Sequence, residues 1–557
     1  MALTKVSGGL LGNLSVGTGN VALGNQALDS VTSGTNNTAI GNSALTAITS
    51  GTQNVAVGAL ALDAGTTNTN CVAVGYLSLS ANTADNNVAV GAGALESNTT
   101  ASNNIAVGYN SLTSNTTGGD NVSVGTDSLR TNTTGGANSA LGKYALYSNT
   151  TANYNVGVGY NSLYSNTTGA SNVAVGSFAL DANTTASNNT AVGYAALSAN
   201  TTASNNDAFG YYALGYNTTG TENSAFGRYS LYVNTTGNYN VAIGGNALQQ
   251  NTTASYNTAV GYAALAANTT GVECTAVGQG ALDASNGSYN TAVGSDSLGT
   301  NTSGTSNTAI GRLALYANTT ASNNTAVGKG ALESSTTATA NVAVGVNACN
   351  SATTGGDNTM IGYFAGSAIT TGEENTAVGA FALGQNSSGN GGNTAVGRAA
   401  GYDVTSGTRN ILIGEDAGRA NSPSYITTQS NRIVMGDNGI TNAYIQVAWT
   451  VTSDQRDKTE IQDIPVGLDL VNNLRPISYK FRENRDSNIA VGKTKYGFLA
   501  QEVIAAEGDS LVIADNEEAD KLKITTDNLV AVLTKAVQEL SAKCDSLQSE
   551  INILKGE

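Results

Sequence analysis

The residues of this chain that could do chemistry are few, because its 557 residues include no histidine. A Ser-His-Asp triad, a His-ligated zinc ion and His acid–base catalysis are therefore all excluded. A serine with a lysine is still possible, since a Ser hydroxyl needs a neighbouring base and a desolvated Lys can act as one. Ser453 and Lys458 have this chemistry, at the beginning of a charged C-terminal segment. Taken by themselves, they are better explained as a turn cap at Ser453-Asp454 and a solvated charge at Lys458.

A 17-residue repeat occupies the chain from about residue 20 to residue 440. Each unit reads Asn-x-Ala-Val-Gly-x-x-Ala-Leu, followed by a polar stretch such as Ser-Asn-Thr-Thr-Gly. Between Gly24 and Gly436 there are 25 repeat glycines, and 20 of the 24 intervals between them are 17 residues long. Positions are numbered here from the repeat glycine, so that Gly−4 is four residues before it. A period of this kind indicates one structural unit stacked many times.

The repeat predicts an all-β array, a β-roll or β-solenoid. Its apolar positions are Gly−2, Gly−1, Gly+3 and Gly+4, and the Asn-Thr-Thr-Gly stretches are typical of turns. Helical repeats normally need about 33 residues per unit. Proline is absent from residues 1–422, as expected if every turn donates ladder hydrogen bonds. Asn stands at Gly−4 in 22 of 25 units, which predicts a stacked Asn ladder along a shaft of ~120 Å, at ~4.8 Å per turn.

Two segments carry a resemblance to a known repeat, Asn37-Thr38-Ala39-Ile40-Gly41 and Asn307-Thr308-Ala309-Ile310-Gly311. They are similar to the head repeats of trimeric adhesins, and the later units with Ala365-Gly366, Ala400-Gly401 and Ala417-Gly418 approach that pattern more nearly. The resemblance implies a left-handed β-roll in a parallel homotrimer.

Two features of the repeat have alternative explanations. Tyr often follows the repeat glycine, and such rings could stack on sugars or pack between subunits; we favour packing or decoration of the shaft. Asn-Thr-Thr matches a glycosylation acceptor, but a repeated turn role explains it better. The tyrosines are Tyr76, Tyr109, Tyr160, Tyr194, Tyr211, Tyr262 and Tyr363.

Composition limits the partners. The net charge of −16 disfavours nucleic acid and anionic membranes. No stretch is apolar enough to span a bilayer, and the N-terminal residues lack the apolar core of a secretory signal. Cys71, Cys274, Cys349 and Cys544 substitute for regular pattern residues, so we interpret them as packing residues. Residues 1–452 hold 30 charged side chains and residues 453–557 hold 32, which places a domain boundary near Ser453.

The C-terminal segment has motifs of its own. Asn442-Ala443-Tyr444-Ile445-Gln446-Val447-Ala448-Trp449-Thr450 is interpreted as a closing strand. It is followed by Ser453-Asp454-Gln455-Arg456-Asp457-Lys458, by Leu474-Arg475-Pro476-Ile477-Ser478-Tyr479-Lys480-Phe481 and by Tyr496-Gly497-Phe498-Leu499-Ala500-Gln501-Glu502-Val503. In this order, ahead of a C-terminal helix, these segments resemble the endosialidase-type intramolecular chaperone domain, which caps phage tail fibres and spikes.

That resemblance implies trimerisation followed by serine-type self-cleavage. It places the nucleophile at Ser453, the base at Lys458 and the scissile bond between Thr452 and Ser453. The supporting motif residues are Asp454, Arg456, Gln501 and Glu502. The sequence does not choose between attack within one chain and attack on a neighbouring chain.

The final helix, expected over residues 527–555, has a heptad seam. Apolar residues alternate spacings of four and three, with β-branched residues or Cys at one core position and Leu at the other. Such a seam by itself favours a dimer, whereas the family resemblance and the β-roll both imply a trimer. We follow the trimer. The seam residues are Leu533, Val537, Leu540, Cys544, Leu547, Ile551 and Leu554.

The sequence therefore predicts four segments: a possible attachment segment (1–19), the repeat array (20–440), a closing strand and cleavage linker (441–452) and a small α+β chaperone domain (453–557). The expected protein is a homotrimeric phage tail fibre, assembled in the host cytoplasm and carried on the virion. Its partners would be itself, other virion proteins and a host glycan or protein receptor, without nucleic acid, membrane insertion, cofactor or metal. A head-attached fibre and a cell-surface trimeric adhesin are alternatives. A glycan-degrading spike is disfavoured because it needs paired carboxylates in a groove, whereas the repeats contain mostly scattered single acids such as Asp63, Asp181 and Glu222.

Overall fold

The computed structural model describes residues 19–386, 391–440, 442–446, 452–482, 487–508, 511–516 and 522–556. Most of the expected attachment segment, residues 1–18, lies outside these ranges. Residues 442–446 of the expected closing strand form no strand, and its residues 447–450 lie outside the described residues. The chain divides into two compact units, residues 1–374 and 375–557, which are described separately.

The first unit is a parallel β-solenoid, which confirms the predicted all-β repeat array. Each 17-residue turn contributes one strand of three residues, and that strand pairs in parallel with the strand of the next turn. In a typical pair, Val173 lies opposite Thr190 and Val175 lies opposite Val192. The 21 strands of this unit are β1 (Val21–Leu23), β2 (Thr38–Ile40), β3 (Val55–Val57), β4 (Val72–Val74), β5 (Val88–Val90), β6 (Ile105–Val107), β7 (Val122–Val124), β8 (Ser139–Leu141), β9 (Val156–Val158), β10 (Val173–Val175), β11 (Thr190–Val192), β12 (Asp207–Phe209), β13 (Ser224–Phe226), β14 (Val241–Ile243), β15 (Thr258–Val260), β16 (Thr275–Val277), β17 (Thr291–Val293), β18 (Thr308–Ile310), β19 (Thr325–Val327), β20 (Val342–Val344) and β21 (Thr359–Ile361).

The solenoid core is built from small side chains and one leucine per turn. The central strand residue at Gly−2 and the residues at Gly+3 and Gly+4 are buried, as Ala191, Ala196 and Leu197 illustrate. The residue at Gly−1 is partly or mostly exposed, although its position is apolar in all 25 units. Three of the four predicted apolar positions thus form the core. Within each compact unit the fourth forms an apolar stripe along the outside of the strands, and we call these positions the Gly−1 stripe.

The predicted Asn ladder is confirmed, and a second one lies beside it. At Gly−4, the backbone N–H of Asn206 donates to Oδ1 of Asn189 at 2.9 Å, and this bond recurs from turn to turn. In the second ladder, Nδ2 of Asn200 donates to Oδ1 of Asn183 at 3.1 Å. The second ladder consists of the Asn residues of the Asn-Thr-Thr stretches, which are fully buried. Their structural role therefore explains the motif.

Left-handed backbone occurs where the sequence did not suggest it. The buried Leu at Gly+4 has a φ near +50°, for example 51° at Leu197 and 51° at Leu214. Such a conformation costs an L-residue about 1–2 kcal/mol. The N–H of Leu197 donates to the Ala213 carbonyl of the next turn at 3.0 Å, and the side chain is completely buried. Stacking between turns thus overrides the local preference.

Two turns are one residue short, and both follow a cysteine that replaces the ladder Asn. The 16-residue intervals are those after Gly75 and Gly278, whose Gly−4 residues are Cys71 and Cys274. The Cys71 Sγ lies 3.3 Å from the Ala84 carbonyl, in place of the Nδ2 donor of an ordinary unit. Cys71 N–H still donates to Oδ1 of Asn54 at 3.0 Å. Burial raises the pKa of both thiols, so they are inert packing groups, as the sequence suggested.

The second unit combines four more solenoid strands with a small α+β region. The strands β22 (Thr376–Val378), β23 (Thr394–Val396), β24 (Ile411–Ile413) and β25 (Ile433–Met435) pair in parallel. A 3-10 turn (Gln455–Asp457) precedes α1 (Leu468–Asn473). The antiparallel pair β26 (Ile477–Arg482) and β27 (Ala490–Gly497), α2 (Ala500–Glu507), the short pair β28 (Ala514–Asp515) and β29 (Lys523–Ile524), and α3 (Thr526–Lys555) follow. The core of this region comprises Leu470, Val503, Ile513, Ala514, Leu529 and Val532.

Candidate functional site

A short turn joins the two residues that the sequence singled out for chemistry. The Lys458 Nζ donates to the Ser453 Oγ at 2.6 Å. Between them lies the 3-10 turn, which ends at Lys458, whose N–H donates to the Gln455 carbonyl at 3.2 Å. A spacing of five residues would hold the two side chains apart in an extended chain, so the turn is what brings them together.

Asp454 and Arg456 shape that turn. The Asp454 carboxylate caps its N-terminus by accepting from the Arg456 N–H at 2.9 Å, and it also accepts from the guanidinium Nη2 at 2.6 Å. The Arg456 hydrogen bonds hold the pKa of Asp454 below its usual range. The turn-cap interpretation of Ser453-Asp454 and the catalytic interpretation are therefore compatible, because the capped turn creates the serine–lysine contact.

The serine–lysine pair is open to water in the single chain. Ser453, Lys458 and Thr452 are all exposed. A lysine acts as a base only when its charged form is disfavoured, and the usual cause is removal of water. The pair thus has the right partners and distance, while the dry surroundings that the chemistry requires are not provided by this chain alone.

The downstream motifs are joined to each other and not to the serine–lysine pair. Arg475, just before β26, forms a bidentate ion pair with Glu502 of α2, and its Nε lies 3.1 Å from Oε2. This contact lowers the pKa of Glu502. Gln501 is exposed on α2, and in the described part of the chain it makes no hydrogen bond to Ser453 or Lys458. Glu502 therefore connects α2 with Arg475 ahead of β26.

Two glutamates that the sequence analysis did not identify anchor the same domain. Glu539 of α3 accepts from the Leu468 N–H at 2.8 Å and so caps α1. Its carboxylate occupies the space that a side chain at Gly467 would need, since Oε2 lies 2.5 Å from a Cβ built there. Glu507 accepts from the N–H groups of residues 512, 513 and 514 at 2.7–2.9 Å. Neither glutamate belongs to a local sequence pattern that would have identified these contacts.

Helix α3 has two apolar faces. The first half buries Leu529, Val532 and Ala536 against the domain core. The predicted seam lies elsewhere: Val537 is 65% exposed and Leu547 is 51% exposed, and the exposed Val530 extends the heptad by one position. The seam is thus an apolar surface without a partner in the single chain. The exposed seam residues are Leu533, Val537, Leu540, Cys544, Leu547, Ile551 and Leu554.

Comparison with known protein families identifies the C-terminal region. Residues 453–513 match the family described as chaperone of endosialidase. The match begins at Ser453 and covers the serine–lysine turn, α1, β26, β27 and α2. Comparisons with curated proteins and with solved structures find no match. No helix among the described residues has the length and apolar character needed to cross a membrane. An endosialidase-type chaperone domain preceded by a β-solenoid fits a phage fibre-like protein.

Proposed function

We propose that this chain is the subunit of a homotrimeric phage fibre, in which residues 453–557 drive trimerisation, set the register and are then released. Release would occur by cleavage between Thr452 and Ser453. The observation that carries the proposal is the 2.6 Å contact between Lys458 Nζ and Ser453 Oγ at the first residue of the family match. The solenoid would remain as the mature fibre on the virion, available for host attachment.

Two unpartnered apolar surfaces support self-association. The α3 seam is exposed over its whole length, and the Gly−1 stripe runs along every turn of the array. A parallel trimer would bury both, because three identical chains present the same surface at the same height. Burial of apolar surface at ~25 cal/mol per Å² makes such a repeated interface strong even if each turn contributes little.

The uniformity of the array supports a separate registration step. Every turn offers its neighbours the same ladders and nearly the same stripe residue, so a chain displaced by one turn would lose few contacts. A repeat with such weak specification of register is prone to slippage. The α3 seam has only four heptads, and a displaced seam leaves apolar core positions unpaired. Assembly starting from α3 would therefore align the three arrays.

The proposed cleavage uses only groups of this chain and water. Lys458, in its neutral form, takes the proton of the Ser453 hydroxyl as Oγ attacks the carbonyl carbon of Thr452. The C–N bond to Ser453 breaks, its nitrogen takes up the proton, and an ester links Thr452 to Oγ. Water then hydrolyses the ester and leaves a Thr452 carboxylate and a Ser453 N-terminus. The same attack on a neighbouring chain would give the same products.

The exposure of the serine–lysine pair suggests that cleavage follows assembly. Neighbouring chains would cover Lys458 and remove its water, so that its neutral form becomes accessible. Once the chaperone domain is lost, an unfolded array could no longer align itself. The fibre would then persist through a high barrier to unfolding.

The test is cleavage of the full chain after expression. Ser453→Ala and Lys458→Met should each give uncut trimers, while the matched controls Ser478→Ala and Lys480→Met, both at exposed positions of β26, should cleave normally. Denaturing electrophoresis and intact mass measure the products, and the released fragment should begin at Ser453. Normal cleavage of Ser453→Ala would refute the assignment.

A further inference from the structure

The first unit carries a continuous cluster of aromatic rings on one side of six successive turns. It consists of the eleven Tyr and Phe residues at positions Gly+1 to Gly+6 after the repeat glycines Gly142 to Gly227, and we call it the aromatic platform. Neighbouring ring centroids lie 4.8–6.2 Å apart, so that the rings form one connected surface. Several are strongly exposed: Tyr160 42%, Tyr194 43% and Tyr216 52%.

The platform does not have the distribution expected of a subunit interface. Self-association of a parallel array needs a surface that every turn possesses, and the Gly−1 stripe meets that requirement in all 25 units. The platform is confined to six turns, and its rings follow the repeat glycine, whereas the Gly−1 stripe lies on the strand that precedes it. A feature that only some turns have is better explained by a ligand than by assembly.

Positive charge is concentrated on the same surface. Between residues 6 and 311 the chain has only three Lys or Arg residues, and all three lie over platform rings. Lys143 Nζ is 4.7 Å from the Tyr144 centroid, Arg228 is 4.6 Å from that of Tyr229, and Arg130 is 5.8 Å from that of Tyr147. Arg130 is also paired with Asp127 at 3.3 Å. Lys143 and Arg228 remain for a ligand, five turns or ~24 Å apart at ~4.8 Å per turn.

One row of the platform, at position Gly+5, lacks rings in its middle turns. At position Gly+5 the successive turns carry Tyr147, Tyr164, Asp181, Ser198, Gly215 and Tyr232. Tyr164 and Tyr232 are thus four turns, or ~19 Å, apart in this row at ~4.8 Å per turn, and the rings of Tyr212 and Tyr232 lie beside Gly215. Oδ1 of Asp181 is buried and has no hydrogen-bond partner among the described residues. Because this oxygen is out of contact with solvent, ligand contacts at the platform fall to the exposed rings and to the two cations.

We propose that the aromatic platform binds an acidic polysaccharide, laid along the array with its pyranose rings on the tyrosines. Sugars offer flat apolar C–H faces to aromatic rings, and carboxylate or sulfate groups of the polysaccharide would pair with Lys143 and Arg228. A nucleic acid would need a far more basic surface than this one. The proposal deepens the proposed function, since it names the class of receptor that a fibre of this kind would meet on a host surface.

The experiment is direct binding of the full-chain protein to a defined panel of oligosaccharides. Alginate, polygalacturonate and carrageenan fragments are the acidic probes, and malto- and cello-oligosaccharides are the neutral ones. We expect at least one acidic series to bind, with affinity falling as salt is raised. The double variant Tyr194→Ala/Tyr211→Ala and the double variant Lys143→Gln/Arg228→Gln should each weaken that binding at least tenfold.

Matched controls are available at the same repeat position. Tyr109 and Arg312 both stand at Gly+1 outside the platform and are exposed, so Tyr109→Ala and Arg312→Gln should bind as the parent does. The proposal is overturned if no acidic probe binds at millimolar concentration, if the neutral probes bind as tightly, or if the controls lose as much as the platform variants. Electrophoresis of the same samples tests the proposed function separately from the proposed polysaccharide site. If the protein forms cleaved trimers that bind no probe, the polysaccharide site alone is refuted. If uncleaved monomers bind the acidic probe, the proposed trimeric assembly alone is refuted.

Discussion

Removal of one side chain from the Gly−4 Asn ladder should destabilise the solenoid far more than its size suggests. Asn189 is fully buried, and its Oδ1 accepts from the Asn206 N–H at 2.9 Å. Its Nδ2 donates to the Ala203 carbonyl at 2.9 Å. Asn189→Ala leaves the Asn206 N–H without its acceptor. The Ala203 carbonyl keeps a bond from Asn200 Nδ2.

The expected cost is about 3 kcal/mol per chain. A buried unsatisfied N–H costs about 1–3 kcal/mol and the lost Nδ2 bond about 1 kcal/mol. Asn189→Cys should cost about 2 kcal/mol, because at Cys71 the thiol already takes over the contact with the carbonyl, at 3.3 Å, while leaving the next N–H without an Oδ1. The exposed neighbour Asn188 supplies the control: Asn188→Ala places Ala at Gly−5, where the chain already has Ala137 and Ala340.

The assay is the rate of unfolding of the purified protein in guanidinium, followed by circular dichroism, because the fibre is expected to be kinetically stable. If most of the 3 kcal/mol acts on the unfolding barrier, Asn189→Ala should unfold about a hundredfold faster. The expected order of rates is Ala fastest, Cys intermediate, and Asn188→Ala near the parent. An Asn189→Ala protein that unfolds as slowly as the parent, or more slowly than Asn189→Cys, would contradict the ladder argument.

Two further predictions concern assembly and pH. Leu540→Asn in the α3 seam should give uncut monomers, because cleavage is proposed to need assembly. The control Lys543→Asn, off the seam, should be cut normally. A Leu540→Asn protein that is monomeric and yet cut would show that cleavage does not require trimerisation. Burial raises the pKa of Asp181 from 3.8, its value in the unfolded chain, to about 6 in the folded chain. As the pH rises from 3.8 to about 6 the unfolded chain therefore loses this proton more readily than the folded chain, and the free energy of unfolding falls. Asp181→Asn should therefore slow unfolding at pH 7.5, because it raises the free-energy barrier to unfolding by about 1 kcal/mol after allowance for the partial exposure of Asp181. The substitution should have no effect at pH 3.5. Equal effects at both pH values would exclude the ionisation of Asp181 as the cause.

The regular parts of the fold were predictable because the sequence repeats them 25 times. The strand at Gly−3 to Gly−1, the Asn ladder and the buried leucine each occupy a fixed position, so an error at one unit is corrected by the others. The left-handed φ of Leu197 and its equivalents was not predictable. Leucine has no local preference for that conformation, and only the stacking of turns stabilises it.

The candidate site was predictable only in part. The residue types at Ser453 and Lys458 suggested the chemistry, but their contact depends on the turn that Asp454 caps. Long-range contacts such as Glu539 with the N-terminus of α1 join residues 71 positions apart, and no local pattern signals them. The heptad likewise identified the outward face of α3 but not the inward face, because the two faces overlap in residues 529–537.

The exposure of Lys458 and the exposure of the α3 seam have the same explanation if the functional unit is an assembly. A single chain leaves both the base hydrated and the seam uncovered, so neither the chemistry nor the helix is complete in it. Association would cover the seam first, since apolar burial needs no prior step. Only an assembled domain could then exclude water from the serine–lysine pair. Under this proposal the chaperone domain is cleaved off only after it has brought the chains together. A chain that cleaved while still monomeric would lose the α3 seam, the element proposed to align its array with those of its neighbours.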